Sequence, residues 1–187
     1  MSDQGGKNRN FESPLVEELE RICATSDLNW LDGLREKISQ IPPDAVQRSS
    51  FLHRACENRE ATREIIQCLL DAFSGAVLQM ADDDYGQLPI HFLCQNRELS
   101  DAVSIDILEL LIEEYPDSVH HKGNADGCLP IHFAISPRKS SAFCRILIDA
   151  FPESARIVSG GGFLPIHLAC KYGRADMVKY LLELYPE

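Results

Sequence analysis

The stretch Gly162-Phe163-Leu164-Pro165-Ile166-His167-Leu168-Ala169-Cys170-Lys171-Tyr172-Gly173 decides the fold, because its core is written three times in the chain. Gly-x-Leu-Pro-Ile-His occupies residues 86–91, 127–132 and 162–167, and Ser50-Phe51-Leu52-His53 is a weaker copy upstream. The four histidines stand 38, 41 and 35 residues apart. Repetition at that period marks stacked supersecondary units. Proline suits the first turn of a helix, where no backbone donor is needed, so each copy reads as a glycine turn running into a short helix. The small residues after the histidine, Ala55-Cys56, Ala134 and Ala169-Cys170, let that helix approach its neighbours closely.

A second register follows each copy. Phe73, Tyr115, Phe151 and Tyr185 are preceded at three, four and seven positions by apolar residues. The sets are Leu70, Leu69 and Ile66; Ile112, Leu111 and Leu108; Ile148, Leu147 and Cys144; and Leu182, Leu181 and Val178. That spacing is the buried stripe of an amphipathic helix. Pro116-Asp117-Ser118-Val119 and Pro152-Glu153-Ser154-Ala155 follow two of the aromatic ends. Proline stops the helix there because it lacks the donor and restricts the residue before it. Pro43-Asp44-Ala45-Val46 fits the same slot behind Leu34, Ile38 and Ile41, a stripe that Lys37 interrupts. A degenerate first unit is therefore expected, with helices near residues 14–24 and 28–40 and a polar outer face, as an end unit needs.

The fold class so predicted is an all-α solenoid of stacked helix-turn-helix units. The expected division is a disordered tail at 1–12, a degenerate capping unit at 13–48, and units at 49–80, 81–120, 121–156 and 157–187, the last without a C-terminal cap.

The repeated segment resembles the ankyrin repeat, whose Thr-Pro-Leu-His-x-Ala signature opens a unit of about 33 residues with one β-turn and two helices. The match runs on from residues 162–173 through Asp176-Met177-Val178 to Leu181-Leu182; it covers 49–187 well and 14–48 weakly. The resemblance implies that each histidine faces backbone groups of adjacent turns and that the residue three later is small and buried.

Three departures carry expectations. Leu88, Leu129 and Leu164 stand where the family has threonine. The helix cap that threonine supplies must then come from elsewhere, and leucine should add packing between units. His91 to Tyr115 spans 24 residues against 18 for His167 to Tyr185, and the extra residues, around 97–104, should lengthen the loop between the two helices. With Tyr185-Pro186-Glu187 last, either the array continues in a longer protein or an exposed Val178, Leu181 and Leu182 face favours self-association.

The chain has 187 residues, 44% hydrophobic and 25% charged, ordinary values for a globular domain. Eighteen Lys and Arg against 29 Asp and Glu leave a net charge of −11, which disfavours general nucleic-acid binding. No apolar run is long enough to span a membrane, and Met1 to Asn10 lacks the apolar core of a signal peptide. Cys23, Cys56, Cys68, Cys94, Cys128, Cys144 and Cys170 form no C-x-x-C pair. They are expected as reduced, mostly buried thiols of an intracellular, cytoplasmic protein.

Motifs that offer chemistry reduce to the repeat. His53/Cys56, His91/Cys94 and His167/Cys170 put two ligand types on one helix face, but a structural zinc needs four ligands. Ile135 also replaces the cysteine in one copy, as a core tolerates and a ligand set does not. His120-His121 reads as a solvated pair in a turn, and Asp82-Asp83-Asp84 as a solvated turn tip without the spacing of a calcium loop. Gly160-Gly161-Gly162 lacks the Lys-Ser/Thr of a P-loop, and no nucleophile elbow, kinase motif, dinucleotide fingerprint or zinc-protease motif is present. No enzyme activity, metal or cofactor is expected.

The expected function is a non-catalytic protein-interaction module with an extended concave surface. The alternative is the regulatory arm of a longer enzyme or signalling protein. The resemblance implies that the turn tips and the exposed side of each first helix do the binding. Those positions are Glu57; Asp84, Tyr85, Gln87, Gln95 and Asn96; Asp126; and Phe163, Lys171 and Tyr172. Tyr85, Phe163 and Tyr172 are the expected anchors, with Asp84 and Asp126 steering a basic partner.

Overall fold

A computed structural model of the chain describes residues 14–25, 30–42, 50–73, 78, 86–123, 127–135 and 139–184. Ten α-helices lie among them, two to a unit. They are α1 Pro14–Ala24 and α2 Trp30–Ile38; α3 Phe51–Glu57 and α4 Arg63–Ala72; α5 Pro89–Gln95 and α6 Asp101–Glu114; α7 Pro130–Ile135 and α8 Ser141–Ala150; α9 Pro165–Lys171 and α10 Ala175–Leu184. First helices pack in series, α1 on α3, α3 on α5, α5 on α7 and α7 on α9. Second helices form an adjoining row of α2, α4, α6 and α8, and the Tyr180 hydroxyl of α10 donates to Asp149 of α8. The chain is thus an all-α solenoid, with its apolar core running as a ribbon between the two rows.

Local sequence explains each element. The glycine five residues before the histidine has positive φ in all three copies, 57° at Gly86, 59° at Gly127 and 76° at Gly162, a conformation that a side chain disfavours. Proline then opens α5, α7 and α9. Thr62, Ser100 and Ser140 cap the second helices by accepting from the backbone N–H groups of Ile65, Val103 and Phe143. Phe73, Tyr115 and Phe151 end them. The prolines behind Tyr115 and Phe151 start short 3₁₀ helices, Pro116–His120 and Pro152–Arg156, which the sequence reading did not anticipate. Ile66, Leu69, Leu108, Leu111, Cys144 and Ile148 of the apolar stripes are fully buried. Burial of an aliphatic side chain of this size contributes roughly 1.5–3 kcal/mol.

One expectation is corrected in part. Two of the six extra residues near 97–104 lengthen the interhelix loop, which has five residues at 96–100 against three at 172–174, and the other four lie in the second helix. These four add one turn to it: α6 has 14 residues, α4 and α8 have 10 each. Ser100 caps this added turn, Asp101 complements its positive end, and Ser104 is buried within it. The expected tail at 1–12, the 43–46 slot, the acidic run at 82–84 and Tyr185 lie outside the described residues. Among the described residues no helix is long and apolar enough to cross a membrane.

Candidate partner-binding surface

The repeated histidines connect the units. His91 Nδ1 accepts from the Leu88 N–H at 3.0 Å, which leaves Nε2–H to donate to the His121 carbonyl of the next unit at 3.0 Å. His132 repeats the arrangement with the Leu129 N–H and the Ile157 carbonyl, both at 3.0 Å. His53 Nε2 meets the Gln87 carbonyl at 3.0 Å. The cap missing with threonine is supplied here: the histidine ring takes the leucine N–H, and the leucine carbonyl takes the histidine N–H. Leu88 and Leu129 turn inward and are buried. Burial brings the His91 pKa down to about 4, outweighing its carbonyl partners, so the ring is neutral at pH 7. Burial also lowers His132. His121 is not a solvated turn residue; its Nε2 donates back to the Gly86 carbonyl at 2.9 Å.

A second set of ties joins the units, and sequence reading missed it. Five residues after the histidine, the Asn58 side chain donates to the Cys23 and Thr25 carbonyls, and Asn96 donates to Cys56 and Asn58. Each amide oxygen accepts a backbone N–H two residues on, at Glu60 and Glu98. In the last two units a cation seven residues after the histidine takes over. Lys139 Nζ donates to Ser104 Oγ at 2.8 Å, and the Arg174 guanidinium lies within hydrogen-bond reach of the Ile135 carbonyl and Ser141 Oγ. The recurrence of asparagine at one position and of Lys or Arg at the other was the available signal.

These ties correct two of the expected contact residues. Asn96 is 5% exposed because its amide is spent on the preceding unit, and Gln87 is 8% exposed with its side-chain carbonyl accepting from Gln95. Gln95 is half-buried beside it, and Glu57 is exposed on α3, 3.6 Å from Arg54. Asp84, Tyr85 and Asp126 lie outside the described residues.

Three expected residues come together. The turn 159–162 closes with the Gly162 N–H on the Ser159 carbonyl and the Ser159 N–H on the Phe163 carbonyl, which delivers Phe163 to the start of α9. Lys171 ends that helix and Tyr172 caps it. The Lys171 ammonium lies 5.3 Å from the Phe163 ring centre and 5.7 Å from that of Tyr172. Both rings remain well exposed, 42% for Phe163 and 39% for Tyr172. Two accessible aromatic surfaces around one ammonium can hold a partner's apolar side chain and ion-pair with it at once.

Beside this cluster, α9 and α10 flank an open groove of about 750 Å³ lined by Ala169, Arg174, Val178 and Leu182, among others. Leu182 is 53% exposed, whereas Ile148, its counterpart one unit earlier, is fully covered. Burial pushes the Cys56 thiol up to about 12 and Cys144 to about 11, and raises Cys23 and Cys94 as well, so these four are inert core residues. Among the described residues no group of three or more His, Cys, Asp and Glu is placed to hold a metal ion.

Residues 99–187 match the family model for ankyrin repeats, in three copies. With the repeating hairpins and the histidine row, this match supports an ankyrin-repeat protein. Over 150 residues it is 27% identical to the tyrosine-protein kinase Shark of Drosophila melanogaster. That alignment takes in 78% of this chain and 14% of the kinase. Ankyrin repeats generally mediate protein–protein interaction.

Proposed function

We propose that the chain is a non-catalytic protein-interaction module that binds a partner protein through the turns and first helices of its units. The observation that carries this is the Phe163, Lys171 and Tyr172 cluster: exposed aromatic surface where the counterparts Gln87, Asn58 and Asn96 are buried. Interfaces draw most of their energy from a few aromatic or cationic anchors. The test is the binding of a partner captured by the intact chain and then purified. Phe163→Ala and Tyr172→Ala should each weaken it while leaving the helical circular dichroism unchanged. Full binding by both variants would remove the cluster from the function.

A second reading makes this array the regulatory arm of a longer enzyme or signalling protein. It is favoured by the alignment to a stretch amounting to 14% of a kinase. Sequencing the full transcript decides between them: a catalytic domain in the same reading frame supports the arm, and its absence supports the free-standing module. The expected intracellular location and the basic partner expected from Asp84 and Asp126 belong to the same proposal, as does self-association through the exposed Leu182 face. A monomer at every concentration in sedimentation would remove the last of these.

A further inference from the structure

The charge of the chain is unevenly placed. Residues 126–176 carry six Lys and Arg (Arg138, Lys139, Arg145, Arg156, Lys171 and Arg174) against four carboxylates, Asp126, Asp149, Glu153 and Asp176, in a chain whose net charge is −11. Asp149 accepts from Tyr180 and Asp176 from Ser141 in the row of second helices, and Glu153 stands in the 3₁₀ helix Pro152–Arg156, which packs against α8 and α9. Of the cations, Lys139 and Arg174 are tied into the junctions between units, and Arg145 lies over the Tyr180 ring. Lys171 is different: it is exposed, at the end of α9, with an aromatic ring on two sides. Lys171 thus stands between two exposed aromatic rings, on a segment of α9 and its turn without a carboxylate.

We infer that the partner held at this surface presents an acidic segment, with an Asp or Glu side chain next to a large apolar side chain. This rests on the reading of the Phe163 cluster as a binding surface and names the chemistry of what it binds. The carboxylate would pair with the Lys171 ammonium, while the apolar neighbour covers the Phe163 and Tyr172 rings. The acidic remainder of the chain would repel such a segment, confining it to the surface around α9 and giving an association rate that salt reduces.

The test is selection of a random peptide display library on the intact protein, followed by affinity measurement of the winning peptides on wild type, Lys171→Glu and Phe163→Ala. Winners should combine Asp or Glu with Phe, Trp, Leu or Ile. They should lose about tenfold or more in affinity to each variant and weaken with added salt. Both substituted positions are exposed, and unchanged circular dichroism verifies the fold of the variants. Neutral or basic winners that still depend on Phe163 but not on Lys171 would overturn the acidic partner and leave the surface standing. Winners indifferent to both substitutions, or no winners at all, would overturn both.

Discussion

The side chain of Asn96 donates to the carbonyl of Cys56, 40 residues earlier, at 2.9 Å, and Asn58 makes the same reach to Cys23 at 3.0 Å. A loop residue of one unit therefore completes the helix end of the unit before it. Carbonyls at a helix end have no partner within the helix, and burying them bare is costly.

Asn96→Ala should accordingly cost about 2–3 kcal/mol, since it leaves buried carbonyls at Cys56 and Asn58 without a donor. Glu57→Ala, at an exposed position, should change stability by less than about 0.5 kcal/mol. Urea midpoints of the two variants check this; equal midpoints would contradict the tie between units.

Stability should fall as the medium is acidified. Burial lowers the His91 pKa from 6.5 to about 4, so between those values the unfolded chain binds a proton that the folded chain refuses. The stability from this group is complete above about pH 6.5, falls as pH drops, and is lost below about pH 4, a change of about 3 kcal/mol. His91→Gln, which removes the titrating ring, should give a shallower dependence in urea titrations between pH 7 and pH 4.5. An unchanged slope would show that His91 is not the group responsible.

Gly123→Ala should destabilise by about 1–3 kcal/mol. A methyl group there would come within 2.9 Å of the Gln87 side chain and of the His91 ring. The ring is held from two sides and cannot retreat. Gly33→Ala, whose new carbon meets nothing within 4 Å, is the control, and thermal unfolding of the pair reads the difference.

Thiol labelling of the native protein should find Cys170 first, because it is exposed, with Cys68 and Cys128, half-buried, behind it. Cys23, Cys56, Cys94 and Cys144 are buried and should label only in denaturant. Mass spectrometry of tryptic peptides after a short exposure distinguishes the sites, and uniform labelling would contradict the described core.

Much of the architecture is legible in the sequence because periodic burial leaves a periodic trace. The Leu-Pro-Ile-His copies and the stripes behind Phe73, Tyr115 and Phe151 are read directly as paired helices. What escaped is what periodicity does not encode. An asparagine in a loop looks the same whether it faces water or another unit, so Asn96 was read as a contact residue when it is a tie. The added residues before Leu108 extend a helix because Ser100 happens to cap it, a local choice that length alone cannot reveal. Phe163, Lys171 and Tyr172 were legible one by one, but their meeting around one ammonium depends on the turn geometry at 159–162.

The stacking of units through their histidines is tested most directly by a long-range ¹H–¹⁵N correlation spectrum of the histidine rings at pH 7. His91 and His132 are expected neutral with the proton on Nε2, because Nδ1 accepts from Leu88 and Leu129 while Nε2–H donates to the following unit. Rings protonated on Nδ1, or cationic like a free imidazole in acid, would contradict the stack.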